Sequence, residues 1–110
     1  MLIFKIVPRL EWEAGGTAYA GSAHDQADGF LHFSTAPQLA VTLQLYYAGQ
    51  RDLLLIAVDS EAVGPDLKFE YAPSRGEDFP HLFAALPRSA VTWVRPIGVD
   101  TTGFVLPGLD

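Results

Sequence analysis

The segment Leu53-Leu54-Leu55-Ile56-Ala57-Val58-Asp59 decides the fold class of this chain, because both of its alternating sets of residues are apolar. Successive side chains of a β-strand point to opposite faces, so the segment predicts a strand that is covered on both faces. Its apolar run covers six residues, 53–58, whereas a membrane-spanning helix needs about 20. The sequence therefore predicts the central strand of a sheet inside a compact domain.

Further strands are predicted on both sides of this segment, whereas helices are predicted only before it. The predicted strands cover residues 2–7, 30–34, 67–71, 90–95, where Pro96 ends the strand, and 104–106. A short helix is predicted to start at Pro8, which suits a first helical turn, and to end at Gly15 and Gly16. The polar, glycine-punctuated stretch 17–29 is predicted to be a loop.

The clearest helix lies between the second strand and the central one. Thr35 and Gln38 have the spacing of a capping box, with Thr35 as the N-cap. Four apolar or aromatic residues then share one helical face: Leu39, Leu43, Tyr46 and Tyr47. Gly49 supplies the predicted stop.

The order of these elements is β-α-β-α followed mostly by strands. A doubly wound α/β fold alternates throughout, so this order excludes it. At 110 residues the chain has the length of one domain, covering 1–110. We predict an α+β fold in which two helices of the N-terminal half pack on a bent, mainly antiparallel sheet.

The charge of the chain narrows its partners. Seven Lys and Arg residues against thirteen Asp and Glu residues give a net charge of −6, and no two cations are adjacent. General binding to nucleic acid needs clustered cations, and an acidic surface repels anionic membranes. A small anionic ligand that one or two local groups hold is compatible with this charge.

The chain contains no cysteine. This excludes a disulfide framework, a thiol nucleophile and a thiolate metal site. The first five residues, Met1-Leu2-Ile3-Phe4-Lys5, lack the basic segment and cleavage site of a signal peptide. We therefore expect a cytoplasmic protein.

His32 is the first candidate for a functional residue. Alternation along the predicted strand places Phe30, His32 and Ser34 on one face, and a helix N-terminus that favours anions follows. An imidazole beside a hydroxyl at such a point is typical of a ligand site. The alternative is a buried structural histidine whose ring is satisfied by a backbone carbonyl, and the sequence leaves both readings open.

A second cluster contains Glu70, Arg75 and His81 within a dozen residues. A guanidinium suits recognition of phosphate or carboxylate, and we expect Glu70 either to pair with Arg75 or to face a cleft. If His32 and His81 belong to one site, their side chains should open into the same cleft. The alternative is a solvated ion-pair loop in which Arg75 meets Glu77 or Asp78.

Several other site classes are not predicted. The three histidines, His24, His32 and His81, have neither the spacing of a zincin nor that of a zinc finger, so no metal site is expected. Ser34 and Ser74 lack the nucleophile elbow of a serine hydrolase. Glycine-rich dinucleotide and triphosphate motifs are absent as well.

Taken together, these motifs resemble the bacterial domain-of-unknown-function family 952 over nearly the whole chain. The resemblance is carried by residues 4–7, Trp12, Gly21-Ser22, 28–35, Gln38, 67–70, 74–76, 79–82 and Pro107. It implies a compact relative of the ADP-ribosyltransferase fold, with a cleft for a nicotinamide dinucleotide such as NAD. In that wider group a strand histidine holds a ribose hydroxyl and a glutamate stabilises the developing cation.

The resemblance implies a role for individual residues. His32 matches the strand histidine, and Glu70 is the best match for the glutamate, which would supply preorganised charge. Ser34, Arg75 and His81 are expected to line the cleft. Phe83 stands where the family usually has a tyrosine and is expected to stack on a ligand. Three functions remain open: ribosyl transfer or glycohydrolysis, ligand binding without chemistry, and a purely structural or interaction role.

Overall fold

The central strand of the fold is β4 (Leu53–Asp59), as the sequence predicts. The computed structural model describes residues 1–110. Strand β4 lies between β1 (Leu2–Pro8) and β8 (Val91–Asp100), and β9 (Gly103–Val105) extends the sheet beyond β8. All of these pairs are antiparallel, so the predicted α+β fold with a mainly antiparallel sheet is confirmed.

The two faces of β4 serve two separate hydrophobic cores. Leu54, Ile56 and Val58 pack into one cluster, which also contains Trp12 and Leu31. The alternate residues enter a second cluster with two residues of the third helix: Leu53, Leu55, Ala57, Leu39 and Leu43. Both faces of β4 are therefore covered by other apolar side chains. This explains why its sequence is a continuous apolar run and does not alternate between apolar and polar residues, as a half-exposed strand does.

A second sheet carries most of the candidate residues. It contains β3 (Leu31–His32), β6 (Glu77–Leu82) and β5 (Leu67–Ala72) in that order, again antiparallel. A bridge between Phe4 and Ser34, with N–H···O distances of 2.8 and 2.7 Å, ties this sheet to β1. Two short strands, β2 (Ala18–Tyr19) and β7 (Leu86–Pro87), pair separately.

Three helices precede β4, one more than predicted. They are α1 (Arg9–Ala14), α2 (Ala23–Asp28) and α3 (Leu39–Tyr46). Helix α2 lies inside the stretch 17–29 that was predicted to be a loop, so that prediction was wrong. None of the helices has the length and apolar character needed to cross a membrane.

Some predicted boundaries also differ. Strand β1 includes Pro8, which then acts as the N-cap of α1. A 3-10 turn (Ala36–Gln38) precedes α3, and Gly49 lies beyond the end of that helix. Strand β8 continues through Pro96, which pairs with Leu54 of β4, whereas β9 joins the opposite edge only from Gly98 onward, so β9 has no residue opposite the missing N–H.

Candidate functional site

A cleft of about 670 Å³ lies where β1, α2, β3, α3 and the β5–β6 hairpin meet. It brings together four of the residues predicted to form a site: His32, Ser34, Arg75 and His81. Phe30 lines the same cleft, as alternation along residues 30–34 predicts, but so does Phe33, which the same alternation placed on the opposite face. The cleft volume falls within the range of small-molecule sites.

The two histidines share the cleft because β3 and β6 pair in register. His32 is the direct cross-strand partner of His81, and cross-strand partners of an antiparallel pair point to the same face. Their ring centroids are 5.7 Å apart, and Phe30 stacks on His81 with centroids 4.0 Å apart. The prediction that both imidazoles open into one cleft is therefore confirmed.

A buried ion pair lies beneath His32. The Lys5 ammonium is 2.8 Å from the Asp25 carboxylate, and the two side chains are only 4% and 2% exposed. Asp25 also accepts hydrogen bonds from Nδ1 and the backbone N–H of His32, at 2.6 and 3.1 Å, and from the backbone of Ser22. Burial acts to raise the pKa of Asp25, but the His32 hydrogen bond and the Lys5 charge outweigh it and hold this pKa well below its usual range.

The chain before β3 is shaped to present Asp25 to this network. Ser22 and Asp25 form a capping box at the start of α2, and Gly29 ends the helix in the left-handed conformation. Gly21 has a φ of 104°, and an added Cβ would lie 2.5 Å from Leu31 Cδ2. Only glycine fits there without displacing the core.

Sequence reasoning missed this network, although two signals point to it. Lys5 is a charged residue within an apolar strand, and a buried ammonium requires a compensating partner. The Ser22-x-x-Asp25 spacing marks a capping box in the stretch that was predicted to be a loop. Together these signals indicate a buried carboxylate close to β1.

His32 is both a structural and a cleft residue. Its Nδ1 bonds the buried Asp25, while its Nε2 lies 2.9 Å from Asp28 Oδ2 at the partly exposed side of the ring. Both ring nitrogens therefore contact carboxylates. The structural alternative had assumed a backbone carbonyl as the partner of the ring. The network fixes its orientation in the cleft wall.

Glu70 is placed differently from the prediction. Its carboxylate accepts a hydrogen bond from Nδ1 of His81 at 2.8 Å, and its side chain is 44% exposed. Glu70 makes no ion pair with Arg75 and is not among the residues that line the cleft. It acts on the cleft only through His81, whose ring it orients.

Arg75 is held by neutral groups. Its guanidinium donates to Thr42 Oγ1 at 3.0 Å and lies over the Phe79 ring, 4.4 Å from the centroid. Thr42 Oγ1 is also 3.2 Å from Ser34 Oγ, so both predicted residues meet at this threonine. No carboxylate lies within ion-pair distance of Arg75, so the alternative of an ion-pair loop with Glu77 or Asp78 is wrong.

Phe83 does not line the cleft. Its ring lies 5.2 Å from that of Phe30, centroid to centroid, and beneath the Lys68 ammonium. Its contact with the cleft is therefore indirect, through the Phe30 ring, and the expectation that it stacks directly on a ligand is not supported by this placement.

The chain was compared with known proteins. The sequence model of a family described as "Protein of unknown function (DUF952)" matches residues 6–94. The crystal structure of protein CC0527 from Caulobacter crescentus is 41% identical, with a TM-score of 0.88 and coverage of 94% of this chain and 91% of that one. The solution NMR structure of the same protein gives 40% identity, a TM-score of 0.83 and coverage of 94% and 90%. No curated protein matches the chain.

Proposed function

Because the chain belongs to the DUF952 family, whose function is unknown, we propose a function from the geometry of its cleft. The cleft binds a small nucleotide-like ligand and holds a phosphate group of that ligand on Arg75. The observation that carries this proposal is that Arg75 lies in the cleft wall and has no carboxylate partner for its positive charge. The other cation of the wall, Lys5, is neutralised by Asp25.

The surroundings of Arg75 suit a phosphate. A guanidinium is charged at all physiological pH values and presents several N–H donors to the oxygens of one phosphate. The hydroxyl of Ser34 lies 3.2 Å from Thr42 Oγ1 and can turn to donate to the same group, whereas the Thr42 hydroxyl donates to the Gln38 carbonyl. One local cation is sufficient for a small anion, whereas the net charge of −6 disfavours a polyanion.

The remaining wall of the cleft suits a flat ring. Phe30 and His81 form a stacked pair and Tyr47 also lines the cleft, whereas Tyr46 and Phe79 lie against Arg75. Aromatic faces stack on nucleobases and similar rings without specifying which base is bound. A ligand with both a phosphate and an aromatic base therefore matches the two ends of the wall.

A binding titration with ADP-ribose tests this proposal. We expect the wild type to bind this probe and the Arg75→Gln variant to bind it about tenfold more weakly or worse, because a charged hydrogen bond to phosphate is lost. Arg95→Gln is the matched control, since Arg95 also lies over an aromatic ring, that of Trp93, but is outside the cleft. Isothermal titration calorimetry on the three proteins measures the effect.

Equal affinity for ADP-ribose in the wild type and Arg75→Gln would contradict the role of Arg75. No binding of ADP-ribose, NAD or AMP to the wild type would contradict the proposal as a whole, because these probes offer the phosphate and base that the wall accommodates. The same loss in Arg95→Gln would indicate a nonspecific electrostatic effect.

Hydrolysis of NAD is a second candidate, favoured by the pair of His81 and Glu70. A carboxylate that holds Nδ1–H of a histidine leaves Nε2 free to accept a proton, the arrangement of a general base. Water would attack C1′ of the nicotinamide-bearing ribose, the C1′–N bond would break, and nicotinamide would leave with the electron pair. The proton of the water would pass to His81 Nε2.

Release of nicotinamide from NAD by the wild type, measured by chromatography, tests this second candidate. Release that is lost in Glu70→Gln while ADP-ribose affinity is kept would support the assignment of Glu70 as a positioning residue for His81. No release above the rate in buffer would exclude hydrolysis and leave the binding function.

A further inference from the structure

Three potential metal ligands meet at the outer side of His32. His24 and Asp28 lie one turn apart on α2, and His32 follows four residues after Asp28, on β3. One ligand atom from each of the three lies within 4.8 Å of the others. We propose that these residues bind a divalent transition-metal ion such as Zn²⁺, independently of the nucleotide-like ligand proposed above.

The distances fit a common ion. Asp28 Oδ2 is 2.9 Å from His32 Nε2 and 3.5 Å from His24 Nε2. Ligand atoms at about 2.0–2.2 Å from one zinc ion stand roughly 3–4 Å apart, so these separations need only small adjustments. His24 would have to turn out of its stack on the His32 ring, where the centroids are 4.6 Å apart, and its side chain, which is 75% exposed to solvent, has room for this rotation.

The neighbours of His32 provide the outer support that metal-bound histidines usually have. Its Nδ1–H donates to the Asp25 carboxylate at 2.6 Å, and Asp25 is anchored in turn by Lys5. A carboxylate in this position fixes the tautomer and the ring orientation, so that Nε2 presents its lone pair to an ion. The cluster thus combines a ligand of fixed orientation, His32, with two more exposed ligands, His24 and Asp28, that can adjust to the ion.

The donor set favours one class of ion. Two imidazoles and one carboxylate suit Zn²⁺, Co²⁺ or Ni²⁺, whereas Mg²⁺ and Ca²⁺ prefer oxygen ligands throughout. Three protein ligands leave a coordination position for water or for a ligand atom, as in catalytic metal sites. Both His24 and His32 line the cleft whereas Asp28 does not, so the cluster lies at the edge of the cleft.

The spacing explains why the sequence predicted no metal site. The spacing of the histidines matches neither a zincin nor a zinc finger. His24, Asp28 and His32 follow one another at intervals of four residues, but the turn at Gly29 carries the third ligand off the helix onto β3. A search for one helical face would therefore find only the first two.

Titration of chelator-treated protein with ZnCl₂ in a calorimeter tests the proposal. We expect the wild type to bind one ion per chain and to show no binding of MgCl₂ under the same conditions. His24→Ala and Asp28→Asn change partly or largely exposed side chains, so both variants should fold, and each should bind zinc about tenfold more weakly or worse. Circular dichroism of the variants verifies that they are folded.

His81→Gln is the matched control, because it removes an imidazole of the same cleft that is not part of the cluster. Zinc affinity within about twofold of the wild type in His81→Gln, and likewise in Arg75→Gln, is expected and would separate this site from the nucleotide-like site. Absence of one-to-one binding in the wild type would overturn the proposal. Unchanged affinity in both His24→Ala and Asp28→Asn, or an equal loss in His81→Gln, would overturn it as well.

Discussion

The Lys5→Met variant is expected to unfold with a free energy about 3–5 kcal/mol below that of the wild type. Lys5 is buried beside Asp25, with 2.8 Å between ammonium and carboxylate. Methionine fills much of the same volume but leaves the carboxylate without its compensating charge in a site from which water is excluded. Urea denaturation of both proteins at pH 7 measures the difference.

Arg9→Met is the matched control for this prediction. Arg9 also lies 2.8 Å from a carboxylate, that of Asp52, but the two side chains are 39% and 59% exposed. Water and salt screen such a pair, so its loss should lower the free energy of unfolding far less than the loss of Lys5 does. Similar small losses in both variants would show that the Lys5–Asp25 pair does not anchor the cleft wall.

The second large effect is expected on acidification. The pKa of Asp25 is lower in the folded protein than in the unfolded chain, because His32 and Lys5 stabilise its ionised form against the cost of burial. The unfolded chain therefore binds this proton first as the pH falls. The stability that Asp25 contributes is present at pH values above about 5, and it is lost as the pH falls below about 4 towards the folded-state pKa.

Asp25→Asn lacks this titration. Its free energy of unfolding should lie roughly 2 kcal/mol or more below that of the wild type at pH 7, and the gap should narrow at pH 3 and below. Urea denaturation between pH 7 and pH 2 follows the gap. Asp100→Asn is the control. Asp100 is a surface residue whose pKa is also lowered, by its hydrogen bonds to Thr102, and a smaller difference in the free energy of unfolding between this variant and the wild type is expected. A gap that does not depend on pH would refute the assignment to Asp25.

Local periodicity predicted the parts of the fold that depend on neighbouring residues. The double apolar pattern of β4 and the buried positions Leu39 and Leu43 of α3 follow from spacing alone, and both agree with the structure. Tyr46, which was predicted on the same helical face, is exposed. Strand β6 was not predicted, because Pro80 interrupts its pattern and its pairing with β3 and β5 depends on distant segments. Helix α2 has only six residues, and a helix so short depends on its cap and on tertiary contacts.

The candidate site was predictable only in part for the same reason. Alternation along the strand placed His32 on the correct face, and the structure brings His81 beside it. Proximity in sequence failed for Glu70 and Arg75, because Glu70 lies on a strand facing His81 whereas Arg75 lies in the turn and reaches towards α3. The partner of Asp25 is Lys5, twenty residues away, and no local pattern connects the two.

Under the proposed function, this cleft and no other surface of the protein binds a nucleotide-like anion. The most direct test is a titration of ¹⁵N-labelled wild type with ADP-ribose, followed by two-dimensional NMR. We predict saturable shifts of the backbone amides of residues 30–35, Thr42 and Arg75, with none in the small pocket around Gln50 and Phe104. Spectra that do not change, or saturable shifts confined to the pocket around Gln50 and Phe104, would contradict the claim.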